Sequence, residues 1–246
     1  MADPNNDLRG DRRFATTHWS VVIAAGKGSD ITARQALATL CEDYWYPLYA
    51  YTRRRGYQPA EAQDLTQGFF LHLLEKGALQ AAVPTRGRFR SFLLSSLHHY
   101  ISNQWRHDQA QKQGGGHRIL SLDLEDGERR YHLEPTDEMT PEKIYERRWA
   151  MTLLHKAVEA LRDRYARSDK LQIFDALKVY LGGQDDTVPY RDLAQQLGTT
   201  EGAVKVAVHR LRQRCRDCLR RTIAQTVAGA EEIDEELRYL LQAIQG

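Results

Sequence analysis

A chain of 246 residues, 41% hydrophobic and 28% charged, is long enough for one large core or two small ones, and two domains are expected. No apolar run reaches the ~18 residues of a membrane span, and the N-terminal MADPNNDLRGDRRF lacks the apolar core of a secretory signal, so a cytoplasmic protein without membrane insertion is expected. The net charge of +2 conceals segregation: residues 86–112 carry five Lys/Arg against Asp108, residues 199–221 carry seven against two acids, and residues 121–142 carry eight acids against two Arg.

In chain order, FATTHWSVVIAA at 14–25 reads as a short apolar helix, ended by Gly26-Lys27-Gly28. From about Ile31, Leu37, Leu40, Cys41, Tyr44, Leu48 and Tyr51 keep helical spacing up to Arg53-Arg54-Arg55-Gly56, and Pro47 is expected to kink or restart this helix. Pro59 and Glu61 then open a helix to Gly77, with Ala62, Leu65, Phe69 and Leu73 as its core stripe. Phe70, Leu71 and Leu74 are surplus to that stripe and imply a second buried face, against either another helix of the same domain or a partner protein.

RFRSFLLSSLHHYISNQWR at 88–106 has Phe89, Phe92, Leu93, Leu97, Tyr100 and Ile101 on one face. Arg88, Arg90, His98, His99, Asn103, Trp105 and Arg106 interleave cations, polar groups and rings, a mixture that unstacked single strands favour, although an amphipathic helix with a basic outer face accounts for it more simply. Residues 111–140, with Gly114-Gly115-Gly116 and the acidic run, hold too little apolar surface for a core and are expected to be a flexible linker. Two helices follow. One is capped by Thr140 and opened by Pro141 and Glu142, and carries Ile144, Trp149, Leu153, Leu154, Val158 and Leu161; the other begins near Ser168.

VPYRDLAQQLGTTEGAVKVAVHRLRQRCRDCLRR at 188–221 reads as a helix-turn-helix. Pro189 is expected at the first helical position, Gly198 at the turn and Thr199 as cap of the second helix, which has Glu201 in its positive first turn. At 3.6 residues per turn Val204, Val208, Leu211, Cys215, Cys218 and Leu219 share one arc, and Lys205, His209, Arg212, Gln213, Arg216 and Arg220 lie opposite. That basic arc suits phosphate neutralisation, with the helix start offered to base edges in a major groove. Cys215-x-x-Cys218 with His209 could suggest a metal or redox site, but both thiols fall on the apolar arc and His209 does not, which favours buried small hydrophobes. The odd count of three cysteines argues against a disulfide framework. The tail after Arg221 is acidic, with Ile233, Leu237, Leu240, Leu241 and Ile244 at helical spacing. No Walker loop, HExxH or GxSxG pattern occurs, so no catalytic residue, cofactor or metal is expected.

The motifs AEAQDLTQGFFLHLL, FRSFLLSSL and YRDLAQQLGTTEGAVKVAVHRLRQR together resemble bacterial RNA polymerase sigma factors of the extracytoplasmic-function type, over nearly the whole chain. FATTHWSVV, YWYPLYAYTRRRGY, the triple glycine and the ELRYLL tail are similar to a longer subgroup of that family. The resemblance implies an all-α protein of two helical domains: region two at 1–110, the acidic linker at 111–140, region four at 141–221 and a C-terminal helical extension at 222–246. It implies that the chain binds core RNA polymerase through Asp64, Gln67, Phe70 and Leu71, with Gly68 standing where the family usually has an acid. Arg88, Arg90, His98, His99, Asn103, Trp105 and Arg106 would then open and read the downstream (minus-ten) promoter element. Lys205, Val206, His209 and Arg210 would read the upstream (minus-thirty-five) duplex, with Arg212 and Arg216 as phosphate anchors. A protein inhibitor is a further expected partner, and the acidic residues Asp123, Glu125, Asp126 and Glu128 are expected to imitate nucleic acid in the basic channels of the polymerase. One rival reading is a stand-alone helix-turn-helix regulator, needing promoter DNA but no polymerase, and a second is a metal- or redox-responsive switch through Cys41, Cys215 and Cys218.

Overall fold

The structure, a computed structural model, describes residues 31–74, 88–108, 124–133, 139–182, 188–227 and 229–245. The predicted helix at 14–25, the loop 77–87 and the triple glycine lie outside them. Among the described residues all regular structure is helical, and the chain divides into two compact units, Met1–Tyr145 with Ala224–Glu232 and Glu146–Ile223 with Ile233–Gly246.

The first unit is built on α1 (Ile31–Arg54), which continues through Pro47 without restarting. Tyr44, Leu48 and Tyr51 face one way and Tyr46, Tyr49 and Ala50 another, and all six are buried. A helix apolar on most of its circumference is one covered on most of its circumference. Gly56, at φ 95°, closes α1 in the left-handed conformation that only glycine adopts at little cost. The next helix, α2 (Pro59–Leu74), opens with Pro59, and the Glu61 carboxylate accepts from the Gln58 N–H at 3.0 Å, satisfying one of the orphan donors of a helix start. Phe69, Phe70 and Leu73 of α2 are buried together with Phe89, Leu93, Leu97 and Ile101 of α3 (Phe89–Asp108). Tyr44 meets Phe89 edge-on at 5.5 Å, and Phe69 lies 5.9 Å from Tyr100.

Gly68 sits where α2 passes closest to Tyr100: an added Cβ would overlap the phenol hydroxyl and lie 3.3 Å from the ring carbon that bears it. That hydroxyl accepts from Gln104 Nε2 at 2.9 Å and is therefore held in place. Gly68→Ala should destabilise the unit by about 1–3 kcal/mol despite the better helix propensity of alanine. The double variant Gly68→Ala/Tyr100→Phe should recover most of that loss, as read from urea midpoints. The glycine here answers to packing.

The expected flexible linker is corrected over part of its length. Residues 124–132 form α4 (Leu124–His132), packed on α1. The reason is electrostatic: Asp126 pairs with Arg129 and Arg130 one turn on, and Glu128 lies 3.3 Å from His132. Helix α5 (Pro141–Ala166) starts as expected, with Thr140 Oγ1 accepting from the Lys143 N–H at 3.3 Å. Its first turn belongs to the first unit, where the Tyr145 hydroxyl donates to the Arg90 carbonyl at 2.9 Å, and from Glu146 on it belongs to the second.

In the second unit Trp149, Leu153, Ala157, Leu161 and Tyr165 form the buried face of α5. Asp169, at φ 54°, turns the chain into α6 (Leu171–Leu177), which continues as the 3-10 turn Lys178–Leu181. Phe174 packs on Tyr165 at 5.6 Å. Then come α7 (Tyr190–Gln196), α8 (Glu201–Ala224) and, after the turn Ala230–Glu232, α9 (Ile233–Gln245). Asp234 of α9 forms an ion pair with Arg220 of α8.

Candidate nucleic-acid interface

The short helix α7 buries Leu193 and Ala194 and ends at Gly198, whose φ of 62° reverses the chain while the Thr199 N–H donates to the Ala194 carbonyl at 2.9 Å. Two details of the sequence reading are corrected. Pro189 stands one residue before the helix, because its ψ of 139° is extended. The cap of α8 is Thr200, whose Oγ1 accepts from the Ala203 N–H at 3.2 Å and whose carbonyl accepts from Val204 at 3.1 Å.

The buried side of α8 comprises Val204, Val208, Leu211, Cys215, Cys218, Leu219 and Ile223. On the outer side Lys205, Val206, His209, Arg210, Arg212 and Arg216 are all exposed, so the six predicted duplex contacts lie on one outward arc. Val206 is 49% exposed, an uncovered apolar group among cations. Lys205 pairs with Glu201 at 2.7 Å, which raises the lysine pKa and lowers the carboxyl. Such an exposed pair exchanges readily for another anion.

Not all of the basic charge faces outward unengaged. Arg212 Nε donates to the Tyr180 carbonyl at 3.1 Å, Tyr180 stacks on Tyr190 at 5.0 Å, and the Tyr180 hydroxyl donates to the Val188 carbonyl. Arg212 therefore holds the segment before α7 against α8, a positioning role that the spacing alone does not reveal. Arg214 lies over the Tyr165 ring at 5.5 Å and donates to its hydroxyl at 3.2 Å. His209 is exposed while Cys215 and Cys218 are buried, and among the described residues no cluster of His, Cys, Asp or Glu could hold a metal. Burial pushes the Cys215 thiol pKa up, away from reactivity.

The predicted single-strand residues of the first unit do not form one surface. His99 and Asn103 are exposed one turn apart on α3, and Arg88 is half-buried at its start. Arg90 is corrected: it is 4% exposed, turned into the unit. His98 is corrected as well. Its Nε2 meets the Tyr51 hydroxyl, the two rings lying 5.4 Å apart edge-on, so it serves the α1–α3 contact. The side chains of Trp105 and Arg106 lie outside the described residues. For polymerase docking, Asp64 is exposed and Leu71 half-buried, but Gln67 and Phe70 are 6% and 1% exposed and belong to the core. Phe70, one of the surplus apolar residues of α2, is covered by its own unit.

Burial, and then the charge of Arg55, hold the His98 pKa below the ordinary imidazole value of 6.5. Below that value the unfolded chain gains a proton at this site before the folded chain does, so stability is lost as the pH falls towards the folded pKa. Between about pH 8 and pH 5 the melting temperature of the first unit should fall more steeply in the parent than in His98→Phe.

No protein-family model, curated protein or solved structure matches the chain.

Proposed function

We propose that this chain is a promoter-specificity subunit of bacterial RNA polymerase, a sigma factor of the extracytoplasmic-function type. The observation that carries the reading is the outward arc of α8. Cations (Lys205, Arg210), an imidazole (His209) and one bare apolar side chain (Val206) stand on the first three turns of a capped helix, with Arg216 further along the same outward side, behind a short helix and a glycine turn. Cations neutralise phosphates, while a lysine, a histidine and an apolar group near a helix start reach base edges and thymine methyls in a major groove. The resemblance of the motifs extends this from duplex binding to polymerase. On that reading His99 and Asn103 remain for the melted strand, with Arg88 at the far end of α3, and Asp64 and Leu71 for the polymerase. No helix among the described residues is long and apolar enough to cross a membrane.

The test is co-purification with bacterial core polymerase followed by run-off transcription on fragmented genomic DNA. New specific transcripts support the reading; duplex binding without polymerase binding refutes it. Lys205→Ala or His209→Ala should cost about 1–3 kcal/mol in promoter discrimination. Equal loss on random DNA would assign these side chains to phosphates only. One observation favours the stand-alone regulator as the second reading: Phe70, part of the surplus apolar side that spoke for a polymerase partner, lies in the core.

A further inference from the structure

Helix α4 is nine residues long and too short to persist in water without a docking surface. What holds it is unusual for a packed helix. Glu128 Oε2 accepts from the Tyr49 hydroxyl at 2.5 Å and from Arg53 Nε at 3.0 Å, and Oε1 accepts from Arg53 Nη2 at 2.8 Å. Arg53 also lies 4.8 Å over the Tyr131 ring, and Arg130 lies 5.5 Å over Tyr46. The close fit is at Gly127, where an added Cβ would lie 2.8 Å from the Trp45 ring. The helix is thus held by charge and by rings, with little aliphatic surface.

Beneath it, α1 presents a guanidinium fork, the Tyr49 hydroxyl and the half-buried Trp45 ring, with Tyr46 and Tyr49 rooted in the core beside Ala62 and Ile144 and Tyr57 at the edge of the same cluster. A bidentate arginine accepts a carboxylate or a phosphate in the same way, and aromatic side chains beside such a cation are what successive unpaired bases stack on. We propose that this face of α1 is a binding site for single-stranded nucleic acid, and that α4 is its internal occupant, with the Glu128 carboxylate standing where a backbone phosphate would bind. The site is distinct from the α3 residues considered above, and the proposal does not depend on the promoter reading.

The occupant lowers the apparent affinity by the fraction of molecules in which it is docked, so releasing it should raise affinity for a strand. Gly127→Ala is the first variant, since the methyl opposes Trp45 while alanine favours the helix itself. Glu128→Gln is the second, removing the charge at nearly constant size. In the full chain, tryptic cleavage after Arg129 and Arg130 reports release, and fluorescence anisotropy with labelled oligothymidylate reports binding. We expect faster cleavage in both variants together with affinity raised by about ten-fold, the gain for a helix docked about nine-tenths of the time. Adding Arg53→Ala should leave cleavage fast and abolish the gain. Unchanged cleavage, fast cleavage without a gain, or a gain that survives Arg53→Ala would each overturn the proposal. So would an equal gain for polyglutamate, which would mark the face as a site for an acidic protein segment. Run-off transcription is not a readout here, so neither result bears on the promoter reading.

Discussion

Phe70→Ala should cost the first unit about 3–5 kcal/mol, a large part of the stability of an ordinary domain. Phe70 is 1% exposed, and its ring lies 5.8 Å from that of Phe69, so truncation removes transfer energy and leaves a cavity that the surrounding side chains cannot close without moving. Asp64→Ala on the exposed side of α2 should leave stability within about 0.5 kcal/mol. The contrast separates two accounts of the same four residues. If Phe70 docks on polymerase, its loss should leave the helical signal and the urea midpoint of the first unit intact and reduce only polymerase capture. If it is core, the midpoint falls, and any loss of capture follows the loss of stability. Since the chain has two units, the measurement must resolve the first unit's own transition, for example through near-ultraviolet signals from the tyrosines of α1.

The residues of α2 leave two destinations open for its surplus apolar side, a helix of the same domain or a partner, and the fold bears on the choice. A stripe of Ala62, Leu65, Phe69 and Leu73 is enough for one neighbour, and counting apolar residues cannot say where the remainder goes. Here Ala62 joins Tyr46, Tyr49, Ala50 and Ile144 in one cluster, while Phe69 meets Tyr100 of α3, so the helix is used on two sides. The long periodic elements were legible. The Thr140-Pro141-Glu142 start of α5 and the arc of α8 both lie where spacing and capping chemistry put them. Helix α4 was not legible to an apolar count, because its order comes from Asp126 with Arg129 and Arg130 and from Glu128 with Arg53, the last 75 residues away. The spacing of Asp126 to Arg130 and of Glu128 to His132 carried a local signal, since opposite charges four apart support a helix, but no local pattern names Arg53 as the partner. Arg90 and His98 show the complementary failure. Their residue types suit a nucleic-acid surface, yet one is buried and the other meets Tyr51, facts decided by tertiary neighbours.

Leu211→Ala should have the largest effect in the second unit, about 2–5 kcal/mol, and should remove duplex binding together with stability. Leu211 is fully buried on α8, one position from Arg212, whose Nε holds the Tyr180 carbonyl. Its loss therefore loosens both the core beneath the basic arc and the contact that fixes the segment leading into α7. Val206→Ala on the opposite side should leave the urea midpoint almost unchanged, because that side chain is 49% exposed and covers nothing. Its effect should appear only in sequence preference, through a lost contact with a thymine methyl in a major groove. Equilibrium unfolding beside duplex binding at two salt concentrations distinguishes the two. A stability loss in Val206→Ala, or none in Leu211→Ala, would mean that α8 presents the other arc to the duplex and that the basic face is an ordinary solvated surface.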